Sequence, residues 1–302
     1  MRIPSFQRTR MLTPTAGERL TGHPAVVLLC SLLVLQISRY GGSLLASAGR
    51  SLLSQSLNRS VLLLLALFAT MVTVICVLLY CLIAERRSLL SLGFSKKGAL
   101  AEYAGGLMGG IALFGLSVLL CMLTGTLTLS PTAVRPSPVM LLLFFIAFVI
   151  QGMSEELFCR SFLMISLSRS LPLWVCVTVN ALLFSLLHLG NPGISLLSLV
   201  NILLFGLFAS MVTLRRGSIW LVGGLHSMWN FAQGNLFGVP VSGNGGFPSP
   251  LTSTLTDGRW QSLVSGGAFG LEGGLAVTAV LASACIAALF MPTKKGEIAK
   301  DP

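Results

Sequence analysis

Long apolar runs separated by short polar or basic breaks dominate the chain. A membrane span needs about 20 mostly apolar residues, and eight stretches read as spans: 25–38, 61–83, 104–124, 139–168, 172–189, 195–214, 218–235 and 273–291. The first is short for a full crossing. The fourth is long, so a tilt, a kink or an extension beyond the bilayer is expected. Between them, 84–103 reads as a connector carrying a short amphipathic helix. Residues 125–138, with three prolines, read as a loop, and the Gly-, Ser- and Pro-rich stretch 236–272 as a loop or re-entrant element. The pattern predicts an all-α polytopic transmembrane bundle of about eight helices enclosing a polar intramembrane cavity. Its parts are a disordered basic tail over 1–24, N-terminal membrane helices over 25–124, a core over 139–291 and a cytoplasmic tail over 292–302.

Composition agrees, with 54% hydrophobic residues, 10% charged and a mean hydropathy of +0.87. A net charge of +11 would suggest nucleic acid in a soluble protein. Here the cations follow the loops. Arg2, Arg8, Arg10 and Arg19, Arg86 and Arg87, Lys96 and Lys97, Arg169, Arg215 and Arg216, and Lys294, Lys295 and Lys300 fall on one side. Arg39, Arg50, Arg59, Arg135 and Arg259 fall on the other. That asymmetry places both termini in the cytoplasm and points to the bilayer, not nucleic acid, as the partner. The seven cysteines all lie in apolar segments without a CxxC pair, as buried thiols do.

Nine acidic residues serve the whole chain, and two of them, Glu155 and Glu156, adjoin one another inside an apolar run. Carboxylates are costly there and mark a cavity or a partner. The apolar spans of the second half also hold Arg160, Asn180, His188, His226, Asn230 and Gln233. Glu156 and Arg160 are four apart and share a helix face, whereas Glu155 is turned by about 100°. One carboxylate can thus be neutralised while the other faces a cavity. At 1.5 Å per residue, Glu155 lies about 21 Å from Arg169, His226 and Asn230 about 15 and 21 Å from Arg216, and His188 about 24 Å along its helix. Similar depth on three helices is what one intramembrane site requires. Glu155 can act as general base on water with His188, and His226 and Asn230 are donors suited to an oxyanion. Zinc held by His188, His226 and Glu155 uses the same residue types. Trp229, Gln233 and Glu272 read as rim.

Glu155-Glu156-x-x-x-Arg160, Phe184-x-x-x-His188 and His226-x-x-x-Asn230, in this order on successive helices, resemble the CAAX prenyl protease and bacteriocin-processing family (CPBP or Abi intramembrane proteases). The glycine-rich run 266–274 is similar to a segment of bacterial members. The resemblance implies an intramembrane endopeptidase acting on a membrane-associated peptide, CAAX-like or otherwise lipophilic, in a bacterial inner membrane. Carried over by motif, Glu155 and His188 activate water, His226 and Asn230 stabilise the oxyanion, and Glu156 and Arg160 support the site. Both metal-independent and zinc-dependent mechanisms have been described for the family, and both stay open. So do two non-proteolytic roles for the same fold, a membrane scaffold or bacteriocin-immunity factor and an ion-coupled transporter.

Overall fold

A computed structural model describes residues 9, 11–14, 17–18, 23–52 and 58–293. The all-α polytopic bundle expected from hydropathy is present. Five helical stretches are long and apolar enough to cross a membrane: Pro24–Leu52 (α1), Arg59–Ala84, Ala99–Leu123 (α4), Pro138–Leu167 and Leu196–Arg216 (α8). The second comprises α2 (Arg59–Ala69), α3 (Met71–Leu79) and a closing π turn, Tyr80–Ala84. The fourth is α5 (Pro138–Glu156), a π segment (Leu157–Met164) and α6 (Ile165–Leu167). The remaining apolar helices, α7 (Leu173–Leu186), α9 (Trp220–Phe231) and α11 (Leu275–Phe290), are shorter. A short α10 spans Arg259–Ser265.

Several boundaries differ from the sequence reading, each for a local reason. The first helix does not stop at 38. It runs to Leu52; Gly41 and Gly42 are helical and admit Val72 and the Ala69 carbonyl at close range. Arg39 and Arg50 are therefore helical residues and not loop charges. No short helix forms at 84–98. There the Arg87 guanidinium grips the Ser91 carbonyl (2.9 Å) and the Glu85 carboxylate (3.3 Å), and turns result. The two loops at 125–138 and 236–272 each contribute a strand, β1 (Leu127–Pro131) and β2 (Leu251–Leu255), paired antiparallel with Leu127 opposite Leu255. The expected tails lie largely outside the described residues. Met11 is nevertheless buried, and Arg169 donates to the Leu12 carbonyl (2.8 Å) and pairs with Glu18 (3.2 Å).

Small residues set the packing that matters for the site. Gly106 and Gly110 of α4 and Gly224 of α9 lie at a crossing so tight that a methyl on any of them would collide with the facing carbonyl, of Leu221, Leu225 and Tyr103 respectively. Close approach through Gly-x-x-x-Gly is how membrane helices gain dispersion contact without a hydrophobic driving force. On its opposite side α9 meets α5, where Gly152 abuts Ser227. These contacts fix α9, and with it His226 and Asn230, against the helix that carries the glutamates.

Candidate active site

The α5 helix starts cleanly, with the Ser137 side chain accepting the Met140 amide (3.1 Å) and Pro138 in the first turn. It changes to π geometry immediately after Glu156. Widened turns of this kind are frequent at functional sites. Another π segment, Ala232–Leu236, follows the site residues of α9. Both switches lie just beyond the polar residues that α5 and α9 turn toward each other.

Those residues form one chain of contacts. The Asn230 amide donates to Gln151 Oε1 (2.9 Å), and Gln151 Nε2 donates to Glu155 Oε1 (2.5 Å). Glu155 Oε2 stands 3.6 Å from His226 Nε2. On the other side of the ring, His226 Nδ1 is 2.8 Å from Glu156 Oε1. A carboxylate only accepts, so Nδ1 carries the proton. Glu156 Oε2 then lies 3.2 Å from Arg160 Nε, near enough to attract but not aligned as a hydrogen bond. The Arg160 guanidinium covers the Phe184 ring at 4.6 Å, a cation–π contact that favours buried arginine. Glu156 and Arg160 are wholly buried, whereas the Glu155 side chain is 32% exposed. The two adjacent carboxylates are thus separated in environment as their 100° offset requires.

Glu155 opens onto a cavity of about 410 Å³ that His188, His226, Asn230, Gln151, Trp229 and Glu272 also line. Sites for small ligands have roughly 300–1,000 Å³. His188 lies in the turn after α7, not inside a helix, because its amide bonds to Ser185 and not to Phe184. Its Nδ1 is 2.8 Å from the Phe184 carbonyl. A carbonyl only accepts, so Nδ1 is the donor and Nε2 of a neutral ring keeps its lone pair.

Not every polar residue of the spans belongs here. Asn180 donates to Ser210 Oγ (2.9 Å) between α7 and α8, and Gln233 to the Pro240 carbonyl; neither lines the cavity. Trp229 and Glu272 do form its rim. Glu272 accepts from Trp229 Nε1 (2.9 Å) and from the amide and hydroxyl of Ser242 (2.9 and 2.8 Å). Ser242 has a positive φ of 45°, a conformation rare outside glycine. Its carbonyl accepts from Asn191 (2.9 Å), so the 240–246 loop is fastened to the cavity from two sides. Sequence reasoning passed over Gln151. Its signal was the i, i+4 spacing to Glu155.

As placed, the donors do not fit a tetrahedral zinc. His226 is engaged with a carboxylate on Nδ1 and faces a second on Nε2, and among the described residues no three His, Cys, Asp or Glu side chains gather as a metal-holding group.

The stretch that holds this geometry also identifies itself by comparison. Residues 137–232 match the Rce1-like family of type II CAAX prenyl endopeptidases. The Rce1-like region starts at the cap of α5 and ends where α9 gives way to its π turn, about a third of the chain. It contains Gln151, Glu155, Glu156, Arg160, His188, His226 and Asn230, and excludes the 240–246 loop and Glu272. No curated protein matches the chain. A bundle of apolar helices that contains this region marks an integral membrane protein, of which residues 137–232 are similar to CAAX-type prenyl endopeptidases.

Proposed function

We propose that the protein is an intramembrane endopeptidase that hydrolyses a peptide bond of a membrane-associated substrate with water activated by Glu155. The observation that carries this reading is the contact chain itself, in which one end is buried and compensated while Glu155 remains open to the cavity. Glu155 takes a proton from water, and the oxygen of that water bonds to the scissile carbonyl carbon. His188, with its Nε2 lone pair available, accepts a hydrogen bond from the same water and orients it. Negative charge develops on the carbonyl oxygen. The second N–H of Asn230 and a proton on His226 Nε2 are the donors placed to receive it. Collapse breaks the C–N bond, and Glu155 returns its proton to the leaving amine. Glu156 holds His226 in one ring orientation, and Arg160 balances the charge of Glu156. We place both termini in the cytoplasm on the remaining charge asymmetry of the loops, and the protein in a bacterial inner membrane on the likeness of the glycine-rich run 266–274 to bacterial members.

The test is cleavage, in lipid, of a panel of membrane-anchored and prenylated C-terminal peptides by wild type and Glu155→Gln, each with and without a zinc chelator. Cleavage by wild type alone, indifferent to the chelator, is expected. Equal cleavage by the folded variant refutes the role of Glu155. Loss on chelation refutes the metal-free route.

A further inference from the structure

Of the two arginines on α1, Arg39 is exposed and is the one that lines the cavity. Arg39 sits 15 residues into a 29-residue apolar helix, roughly 22 Å from its start. Arginines that are buried within the bundle or tie its helices together have partners, whereas Arg50 at the end of α1 has none among the described residues. Arg87 pairs with Glu85, Arg160 with Glu156, Arg169 with Glu18 and Arg216 with Glu102, and Arg215 donates to the Leu289 carbonyl. Among the described residues Arg39 makes no ion pair and no hydrogen bond. A cation at that depth is costly in a bilayer and by default points to function. Arg39 lines the same cavity as Glu155 and His188, and it is the one lysine or arginine that does so among the described residues. The wall around it is apolar, formed by Leu35, Leu63, Ala66 and Leu67, with Thr70 and Thr73.

We infer that Arg39 anchors the free C-terminal carboxylate of the peptide that enters this cavity. The inference rests on the endopeptidase reading of the site. A greasy wall with one guanidinium is complementary to an apolar peptide end that terminates in a carboxylate. Arginine's planar fork matches a carboxylate through two parallel hydrogen bonds. That anion is present on every peptide terminus whatever its side chains, so anchoring there measures position from the chain end. The scissile bond is then selected by its distance from the terminus, and cleavage releases a short C-terminal fragment.

Binding tests this without requiring turnover. The probe is a fluorescent, N-terminally lauroylated octapeptide of apolar residues, prepared as the free acid and as the C-terminal amide. Both are titrated onto full-length wild type, R39Q and R39K in phosphatidylcholine nanodiscs. Wild type is expected to bind the acid at least tenfold tighter than the amide. R39Q binds both with the amide's affinity, and R39K falls between. Equal binding of acid and amide by wild type overturns the inference, as does an undiminished acid preference in R39Q. Loss of co-purifying phosphatidylglycerol from R39Q, with acid and amide bound alike, assigns Arg39 to a lipid headgroup and likewise overturns it. A wild type that prefers the acid yet cleaves neither peptide would leave the anchor standing and count against the hydrolytic reading alone.

Discussion

Two buried charge clusters in this molecule share components and differ in how they end. Near the connector between the second and third long helical stretches, Glu85 accepts from Ser166 Oγ through both oxygens (3.0 and 3.0 Å) and pairs with Arg87 at 3.3 Å. Arg87 in turn donates to the Ser91 carbonyl. That cluster is closed, and none of its members reaches the cavity. Around His226, two carboxylates, an imidazole, an arginine and two amides also meet, but one member of that chain, Glu155, is open to the cavity. A third cluster, Glu102 with Arg216 (2.8 Å) and Ser218 (2.7 Å), is closed like the first. Closed sets staple helices together. The open one leaves the Glu155 carboxylate facing the cavity, so on the proposed reading openness and not charge content separates chemistry from support.

The comparison breaks first at Glu155. Glu155→Gln keeps the size and the hydrogen bond from Gln151 but removes the base, so peptide cleavage should fall by about 10²–10⁴-fold with an unchanged thermal midpoint. A variant that unfolds instead would make Glu155 a staple like Glu85. Glu156→Gln should damage both properties. Arg160 loses its buried counter-charge and His226 its fixed acceptor, and removing one member of a buried pair costs about 3–5 kcal/mol. A wild-type melting curve would show that the buried end is not supporting the site. Gln151→Ala leaves both charges in place and frees Glu155 to rotate. One hydrogen bond to a charged group is worth about 1.5–3 kcal/mol, so kcat should drop on the order of tenfold or more, with little change in melting. At the closed cluster, Glu85→Gln should lower stability by about 1–3 kcal/mol while the folded fraction keeps its wild-type kcat. A fall in kcat there would erase the distinction between the two regions.

The helices were legible because apolar length is a property of contiguous residues. Even so, the second half of α1 was not legible, since Arg39 and Arg50 read as loop charges, whereas the helix runs through both to Leu52. The pairing of β1 with β2 joins segments more than 100 residues apart and leaves no local trace. The π segments at Leu157–Met164 and Ala232–Leu236 likewise have no period that reading could separate from α-helix. At the site, polar residues in apolar runs gave the glutamates, both histidines and Asn230. The same signal also gave Asn180 and Gln233, which are satisfied by Ser210 and the Pro240 carbonyl away from the cavity. Polarity in an apolar helix reveals a need for a partner but not which partner meets it. Gln151 was missed because an amide one turn before a glutamate looks like ordinary helix surface. Only the packing of α9 against α5 shows it bridging Asn230 and Glu155.

The most direct test of water activation by Glu155 is the oxygen isotope content of the cleaved peptide. Wild type and Glu155→Gln would act on a lipid-embedded peptide in ¹⁸O-enriched water, with the new C-terminal carboxylate read by mass spectrometry. One labelled oxygen is expected in the wild-type product, and no product from the variant over the same interval. Labelled product from Glu155→Gln at the wild-type rate, or wild-type product without label, would contradict water activation by Glu155.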